Sequence, residues 1–256
     1  MGSAADWTAR LASYGNAFLS GRYDAGRATN DAISHQVRRW RFDTLVERRY
    51  GILPLRIVAS SVRGWFRWLR RNGYRRLVLI YLSPAETAAL DGPLKVLTEA
   101  RAGWFVVADG RDHLMLWDEW RSGPLGMFRT GVFSVEMRGA VVYPLPPPPG
   151  ADFDAVAARL DAALAAALAR CPEDAPAFER ARAALQAHDP EAVARGEGLP
   201  VLAPAEHPLG ARRLGAAVRI VWANERPHSN WLEPPPRPPE FGPALRDAIL
   251  AAVNGS

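Results

Sequence analysis

One strongly basic stretch, Gln36–Arg76, constrains the fold more than any other part of the sequence. It holds twelve arginines against two acids, Asp43 and Glu47, so its formal charge is +10. The whole chain carries +5, so the remaining residues sum to −5. A segment with this charge cannot be buried as a whole, and most of its guanidinium groups must stay at a surface. The asymmetry indicates a polyanionic partner, although it names no reaction.

The second half of this stretch predicts one long amphipathic helix over Pro54–Asn72. Pro54 suits a first helical position, and Asn72-Gly73 supplies a left-handed stop. At about 100° per residue, five arginines fall on one side of this helix and the apolar side chains fall on the other. The five arginines are Arg56, Arg63, Arg67, Arg70 and Arg71.

Upstream of that helix, Asp43 is predicted to cap a shorter helix that ends near Gly51. Two helices joined by a glycine-containing turn have the outline of a helix-turn-helix motif, whose second helix enters the major groove of DNA. The match is loose because Ile52–Leu55 is apolar and contains a proline, where such motifs often keep a polar residue.

Aromatic side chains accompany the arginines. Trp40, Trp68 and Tyr74 are candidates for stacking on unpaired bases if the target is single-stranded. With the five arginines they form the predicted nucleic-acid-binding set. Two alternatives remain open. In the first, the basic face is simply solvated or paired with acids. In the second, it binds an anionic membrane surface with its tryptophans at headgroup depth.

Composition places the chain among globular proteins. Its 256 residues allow one large domain or two small ones, and 48% hydrophobic content supplies a sizeable core. No run approaches the roughly 18 apolar residues that a membrane-spanning helix needs. Cys171 is the only cysteine, which excludes an internal disulfide and a thiolate zinc cluster. We therefore expect a cytoplasmic protein without a transmembrane segment.

The region 77–143 is predicted to hold the core of a mixed sheet. Two continuous apolar runs predict strands buried on both faces. A helix between them predicts a right-handed crossover and parallel strands, and Asp109-Gly110 is a strong hairpin signal. The predicted elements are strand Arg76–Leu82, helix Ser83–Ala100, strand Trp104–Ala108, strand Arg111–Trp117 and an extended Val132–Tyr143.

Beyond the proline run 144–150, Asp152 is predicted to cap an alanine-rich helix that reaches Cys171. Its small side chains predict close packing, and the helix at 152–171 is a candidate contact with another protein or a second copy of the chain. Leu214–Ala223 predicts a strand, and since a solitary strand cannot satisfy its edges, we expect it to return to the sheet. Pro243–Val253 predicts a closing helix.

The predicted fold class is therefore α+β, with a mixed sheet of about five strands, flanking helices and an alanine-rich helical excursion. We expect a single domain over residues 1–256. Its predicted parts are a helical basic region at 1–76, the sheet core at 77–143, the helical excursion at 151–200, and the returning strand with the C-terminal helix at 201–256.

Catalytic motifs are scarce. GxxxxGK[ST], GxGxxG, GxSxG, HExxH and CxxC do not occur, which removes sequence support for the enzymes that use them. Asp118 and Glu136 loosely follow the D…(D/E)xK arrangement of nucleases that hold Mg²⁺ between carboxylates of adjacent strands. Arg138 stands in the lysine position, where an always-protonated guanidinium is a poor base. The alternative interpretation is that Glu136 and Arg138 lie on one strand face and only pair with each other.

Three functions remain open from the sequence. The first is binding of DNA or RNA through the arginine-rich helix, without a cofactor. The second is an Mg²⁺-dependent nuclease that uses Asp118, Glu136 and Arg138 and holds its substrate on the same basic surface. The third is a structural or assembly subunit whose basic stretch meets an acidic protein partner. The sequence does not decide whether the protein is an enzyme, and its metal ligands are unknown.

Overall fold

The computed structural model describes residues 4–23, 39–48, 51–88, 103–110, 113–122, 129–137, 152–198, 200–224 and 238–255. Within these ranges the chain forms eight α-helices and six β-strands, besides a short 3-10 helix at Pro172–Asp174. In chain order they are α1 Ala4–Leu19, β1 Arg39–Arg48, β2 Gly51–Ala59, α2 Val62–Arg71, β3 Arg76–Leu82, α3 Pro84–Ala88, β4 Gly103–Asp109, β5 His113–Ser122, β6 Arg129–Met137, α4 Phe153–Leu168, α5 Ala175–Gln186, α6 Pro190–Val193, α7 Leu209–Ala223 and α8 Phe241–Asn254.

The chain forms two compact units. The sheet unit comprises Tyr14–Pro146, and the helical unit comprises Met1–Ser13 together with Pro147–Ser256. The boundary between them falls inside α1, so the first turns of that helix belong to the helical unit and its last turns to the sheet unit. The prediction of a single domain over the whole chain stays a prediction.

The sheet unit is organised around a six-stranded sheet in the order β2-β1-β6-β5-β4-β3. β1 and β6 are parallel, and the other neighbouring strands are antiparallel. In β3 and β4 the register pairs Leu79 with Val106. Both strands are apolar and buried along nearly their whole length, as expected of strands that are covered on both faces.

The last turns of α1 are fastened to β3 by one side chain. Asn16 Nδ2 donates to the carbonyl oxygen of Leu77 at 2.8 Å, and the Leu77 N–H donates to Asn16 Oδ1 at 2.6 Å. Both bonds are buried, so they satisfy polar groups that water does not reach. Gly15 permits this close approach, because a Cβ there would overlap Leu77 Cδ1.

The helical unit is built from α4, α5, α7 and α8, which pack on one another. α4 begins as the sequence predicts, because Asp152 Oδ1 accepts the N–H of Ala155 at 3.0 Å. α8 also forms close to its predicted bounds of Pro243–Val253. Phe178 of α5 meets Phe241 of α8 with ring centroids 5.5 Å apart.

The predicted fold class is wrong. The chain is helix-rich, with eight α-helices among the described residues, and its sheet has six strands instead of about five. Residues 214–223 do not form a strand that returns to the sheet, because they belong to α7. α7 is buried on almost every side, through Ala211, Leu214–Val218, Ile220 and Val221. An apolar run of this kind does not distinguish a buried strand from a buried helix, and the alanines favour the helix.

The predicted long helix over Pro54–Asn72 and the helix-turn-helix outline are also wrong. Residues up to Ala59 form β2, and Asp43 caps no helix because it lies within β1. Pro54 is compatible with a strand here because β2 is the edge of the sheet and the register shifts beside Pro54. An edge position or an irregularity is where a strand tolerates a missing N–H.

The predicted parallel pairing of the first two sheet-core strands is wrong as well. β3 and β4 are antiparallel, since the connection between them is long enough to return the chain in either direction. The Asp109-Gly110 hairpin is confirmed as an antiparallel β4–β5 pair, although β5 begins only at His113. Residues 89–102 and 138–150 lie outside the described residues, and so do the predictions for them.

Candidate nucleic-acid interface

The helix α2 is what remains of the predicted basic helix. Ser61 caps its N-terminus, because the hydroxyl oxygen accepts the N–H of Gly64 at 3.1 Å. It ends at Asn72, and Gly73 follows with a left-handed φ of +81°. Arg70 and Arg71 occupy its last turn, where cations complement the helix dipole.

One face of α2 fixes its orientation. Val62, Trp65, Phe66 and Leu69 are fully buried. The ring of Trp65 lies parallel to that of Phe42 in β1, with centroids 4.8 Å apart and an interplanar angle of 5°. Aromatic burial on this scale dominates local packing. The opposite face of α2 must therefore point away from the core.

That outer face carries an unneutralised row of arginines. Arg63, Arg67 and Arg71 follow one another at i, i+4 spacing, about 6 Å apart along the helix axis, and Arg75 follows in the turn before β3. Arg67, Arg71 and Arg75 are exposed, and Arg63 is half-buried. No carboxylate or other hydrogen-bond acceptor among the described residues pairs with any of these four guanidinium groups. We call these four residues the α2 arginine group.

Repulsion between neighbouring members of this row opposes folding, although the helix dipole favours Arg71 in the last turn. Like charges at i, i+4 on a helix repel one another, by about 0.2–0.5 kcal/mol for each pair. The first turn of α2 contains no acid that would offset this repulsion. A local arrangement that opposes folding without a compensating contact is typical of functional surfaces.

Arg70 differs from the α2 arginine group. Its Nη2 donates to the carbonyl oxygen of Phe18, near the C-terminus of α1. Its guanidinium carbon also lies 4.2 Å from the centroid of the Phe18 ring. Arg70 therefore stabilises the contact between α1 and α2 within the sheet unit. Arg76 is also distinct, because its Nε lies 4.0 Å from a carboxylate oxygen of Asp109.

Most of the described arginines of the helical unit pair with acids. The ion pairs among these described residues are Arg10–Asp6, Arg159–Asp247, Arg180–Glu197, Arg182–Asp161, Arg212–Asp189, Arg219–Glu191 and Arg246–Asp247. Arg213 donates to the backbone carbonyl of Ala187. Arg170 and Arg195 are the exposed exceptions among the described arginines of this unit. Arginine is thus used mainly for internal pairing in one unit, whereas the α2 arginine group faces outward.

The predicted stacking residues differ in exposure. Trp68 is half-buried and lies on the same helix as the arginine row, whereas Tyr74 is only 7% exposed. Their rings stack with centroids 5.8 Å apart and an interplanar angle of 27°. Trp40 lies in β1 and Arg56 lies in β2, where its backbone pairs with Thr44. Arg56 therefore does not share a helix face with the other predicted arginines.

The acids of the nuclease hypothesis lie on neighbouring strands. The register pairs Asp118 of β5 with Val132 and Glu136 of β6 with Leu114. The two positions are four residues apart along the strands, which corresponds to about 13 Å of backbone. Arg138 is outside the described residues. The nuclease, with its Mg²⁺, stays a prediction.

Comparison with known proteins adds nothing to this description. No protein-family model, curated protein or solved structure matches the chain. Among the described residues, no group of three or more His, Cys, Asp or Glu side chains is arranged to hold a metal ion. No helix in the same ranges combines the length and apolar character required to cross a bilayer.

The sequence did not predict a buried ion pair in α1. Asp6 and Arg10 form a buried ion pair at 2.6 Å on successive turns, within the helical unit. Burial raises the pKa of Asp6 to about 6, although the Arg10 charge acts in the opposite direction. The i, i+4 spacing of the two charges was visible in the sequence, but their burial depends on the tertiary fold.

Proposed function

We propose that the protein binds DNA or RNA through phosphate contacts from the α2 arginine group. The observation that carries this proposal is the row of outward-facing arginines without acid partners in the described structure. A guanidinium group offers several N–H donors in a planar fork that matches phosphate oxygens. A row spaced by about 6 Å along a helix presents these forks to successive points on a polyanion.

The helical framework makes the row a rigid platform. The buried face of α2 and the Phe42–Trp65 stack hold the helix, and Arg70 ties it to α1. Binding then requires ordering only the arginine side chains, not the backbone that carries them. An acidic protein partner and a solvated surface remain the outcomes that the experiment must separate from nucleic-acid binding.

The test compares two double variants of equal charge. Arg67→Ala with Arg71→Ala removes two members of the α2 arginine group. Arg170→Ala with Arg195→Ala removes two exposed arginines of the helical unit that also lack acid partners among the described residues. Each double variant lowers the formal charge from +5 to +3.

The expected readout is the salt dependence of oligonucleotide binding. Each lost phosphate contact flattens the slope of log K against log salt by about 0.9 for a duplex or about 0.7 for a single strand. The α2 double variant should therefore lose about 1.4–1.8 from the slope, and the control should keep the parent's slope. Equal slopes for the parent and both variants would show that the α2 arginine group is only solvated surface.

A further inference from the structure

A tryptophan lies beside the arginine row and outside the fully buried face of α2. The four apolar side chains on the inner face of α2 are fully buried, but Trp68 is only half-buried. It directly follows Arg67 in the sequence and precedes Arg71 by three residues, so one arginine position precedes it and another follows it along the helix. Part of this large aromatic ring therefore stays in contact with water beside the arginines.

Tyr74 holds this ring from one side. Its own ring stacks on Trp68, and it is itself buried. The backbone at Tyr74 is fixed by two neighbours. Its N–H donates to the carbonyl oxygen of Leu69 at 3.1 Å, and a Cβ added at Gly110 would approach the Tyr74 Cα to 2.9 Å. Tyr74 is thus a support for Trp68 rather than a second exposed ring.

We propose that Trp68 is a stacking platform for an unpaired base, so that the preferred ligand is single-stranded nucleic acid. This inference rests on the proposed function, because Arg67 and Arg71 would hold the phosphates on either side of the stacked base. Every base has a π-face, so such a platform is tolerant of sequence. A duplex keeps its bases stacked on one another and offers only phosphates to the same surface.

The first experiment varies the ligand and leaves the protein intact. Fluorescence anisotropy compares a 20-nucleotide thymidine strand with an abasic strand of the same length, which keeps the phosphates and lacks the bases. The parent protein should bind the thymidine strand roughly 5- to 150-fold more tightly for one stacked base. Equal affinity for the two strands would overturn the inference without any question about folding.

The second experiment varies the platform. Trp68→Leu keeps an apolar side chain but removes the π-face, and Trp68→Phe keeps a ring for Tyr74 and for a base. Trp68→Leu should lose the preference for thymidine over abasic strand and should bind a 20-base-pair duplex as the parent does. Trp68→Phe should retain most of the preference, and thermal unfolding checks that both variants fold.

The outcomes separate this inference from the proposed function. If the parent protein binds the thymidine strand, the abasic strand and the duplex equally tightly, and this binding weakens with salt, phosphate binding stands and the stacking platform is refuted. If the parent protein binds none of the three ligands, both proposals are refuted. The parent protein and Trp68→Leu are also compared for binding to phosphatidylserine vesicles. If Trp68→Leu abolishes vesicle binding and leaves oligonucleotide binding unchanged, Trp68 belongs to a membrane-binding surface and the inference is overturned.

Discussion

Arg70 and Arg67 are neighbours on α2, yet the structure assigns them opposite roles. Arg70 donates to the Phe18 carbonyl and lies over the Phe18 ring, whereas Arg67 is exposed and pairs with no described residue. Replacing each by alanine removes the same charge from the same helix. The pair of variants therefore separates an arginine that stabilises the fold from one that is available to a ligand.

The expected losses follow from these contacts. A hydrogen bond that involves a charged group contributes about 1.5–3 kcal/mol, and a cation–π contact contributes about 0.5–1 kcal/mol at an exposed site. Arg70 is an exposed residue, and the Phe18 carbonyl also accepts the Gly21 N–H at 3.1 Å, so we discount this sum to about 1–2 kcal/mol. Arg67→Ala should change the free energy of unfolding by less than about 0.5 kcal/mol, because alanine is the best helix former.

Scanning calorimetry and oligonucleotide binding together measure this difference. Arg70→Ala should lower the melting temperature by about 2–8 °C, and Arg67→Ala should leave it nearly unchanged. Arg67→Ala should in turn flatten the salt slope of oligonucleotide binding by about 0.7–0.9. If Arg70→Ala is as stable as Arg67→Ala, the contact with Phe18 does not hold Arg70, and the division between the two residues is refuted.

Two further predictions concern the framework. Asn16→Ala leaves the N–H and the carbonyl of Leu77 unsatisfied, so it should lower the free energy of unfolding in urea by about 2–4 kcal/mol. The control Asn72→Ala removes one exposed hydrogen bond and should lower it by less than about 1 kcal/mol. Equal losses would contradict the role given to Asn16. The Asp6 pKa of about 6 lies above its ordinary 3.8, so the folded state retains the proton between these values. The free energy of unfolding of the parent, relative to Asp6→Asn, should therefore fall by about 2 kcal/mol as pH rises from 4 to 6, and a flat or rising difference would refute this.

Local signals in the sequence predicted several elements well. The apolar runs of β3 and β4, the Asp152 cap of α4 and the left-handed stop at Gly73 all depend on residues close to one another in the chain. Such signals act within one turn or one strand, so they need no knowledge of the tertiary fold. The direction in which two strands pair needs that knowledge, which is why the predicted parallel pairing failed.

The errors came from apolar segments that fit two structures equally well. Leu214–Ala223 contains alternating and continuous apolar positions, and only its burial among the other helices selects the helix α7. Pro54 fits both a first helical turn and an edge strand, and the sheet order decides between them. Local propensity was overridden by tertiary context in both segments.

The candidate site was predictable as a region but not residue by residue. The concentration of arginines indicated a surface near α2, and Arg63, Arg67 and Arg71 do share a row on that helix. The sequence could not show that Arg70 is engaged, because its partner Phe18 lies 52 residues away. It could not show that Tyr74 is buried beneath Trp68 either, since that depends on a turn packed against Gly110.

The salt dependence of binding by the parent protein tests the central claim most directly. A labelled 20-nucleotide thymidine strand is titrated at several salt concentrations between 50 and 300 mM. Three or four phosphate contacts from the α2 arginine group predict a slope of log K against log salt of about −2 to −3. A slope near zero, or no binding at the lowest salt concentration, would contradict a nucleic-acid interface on α2.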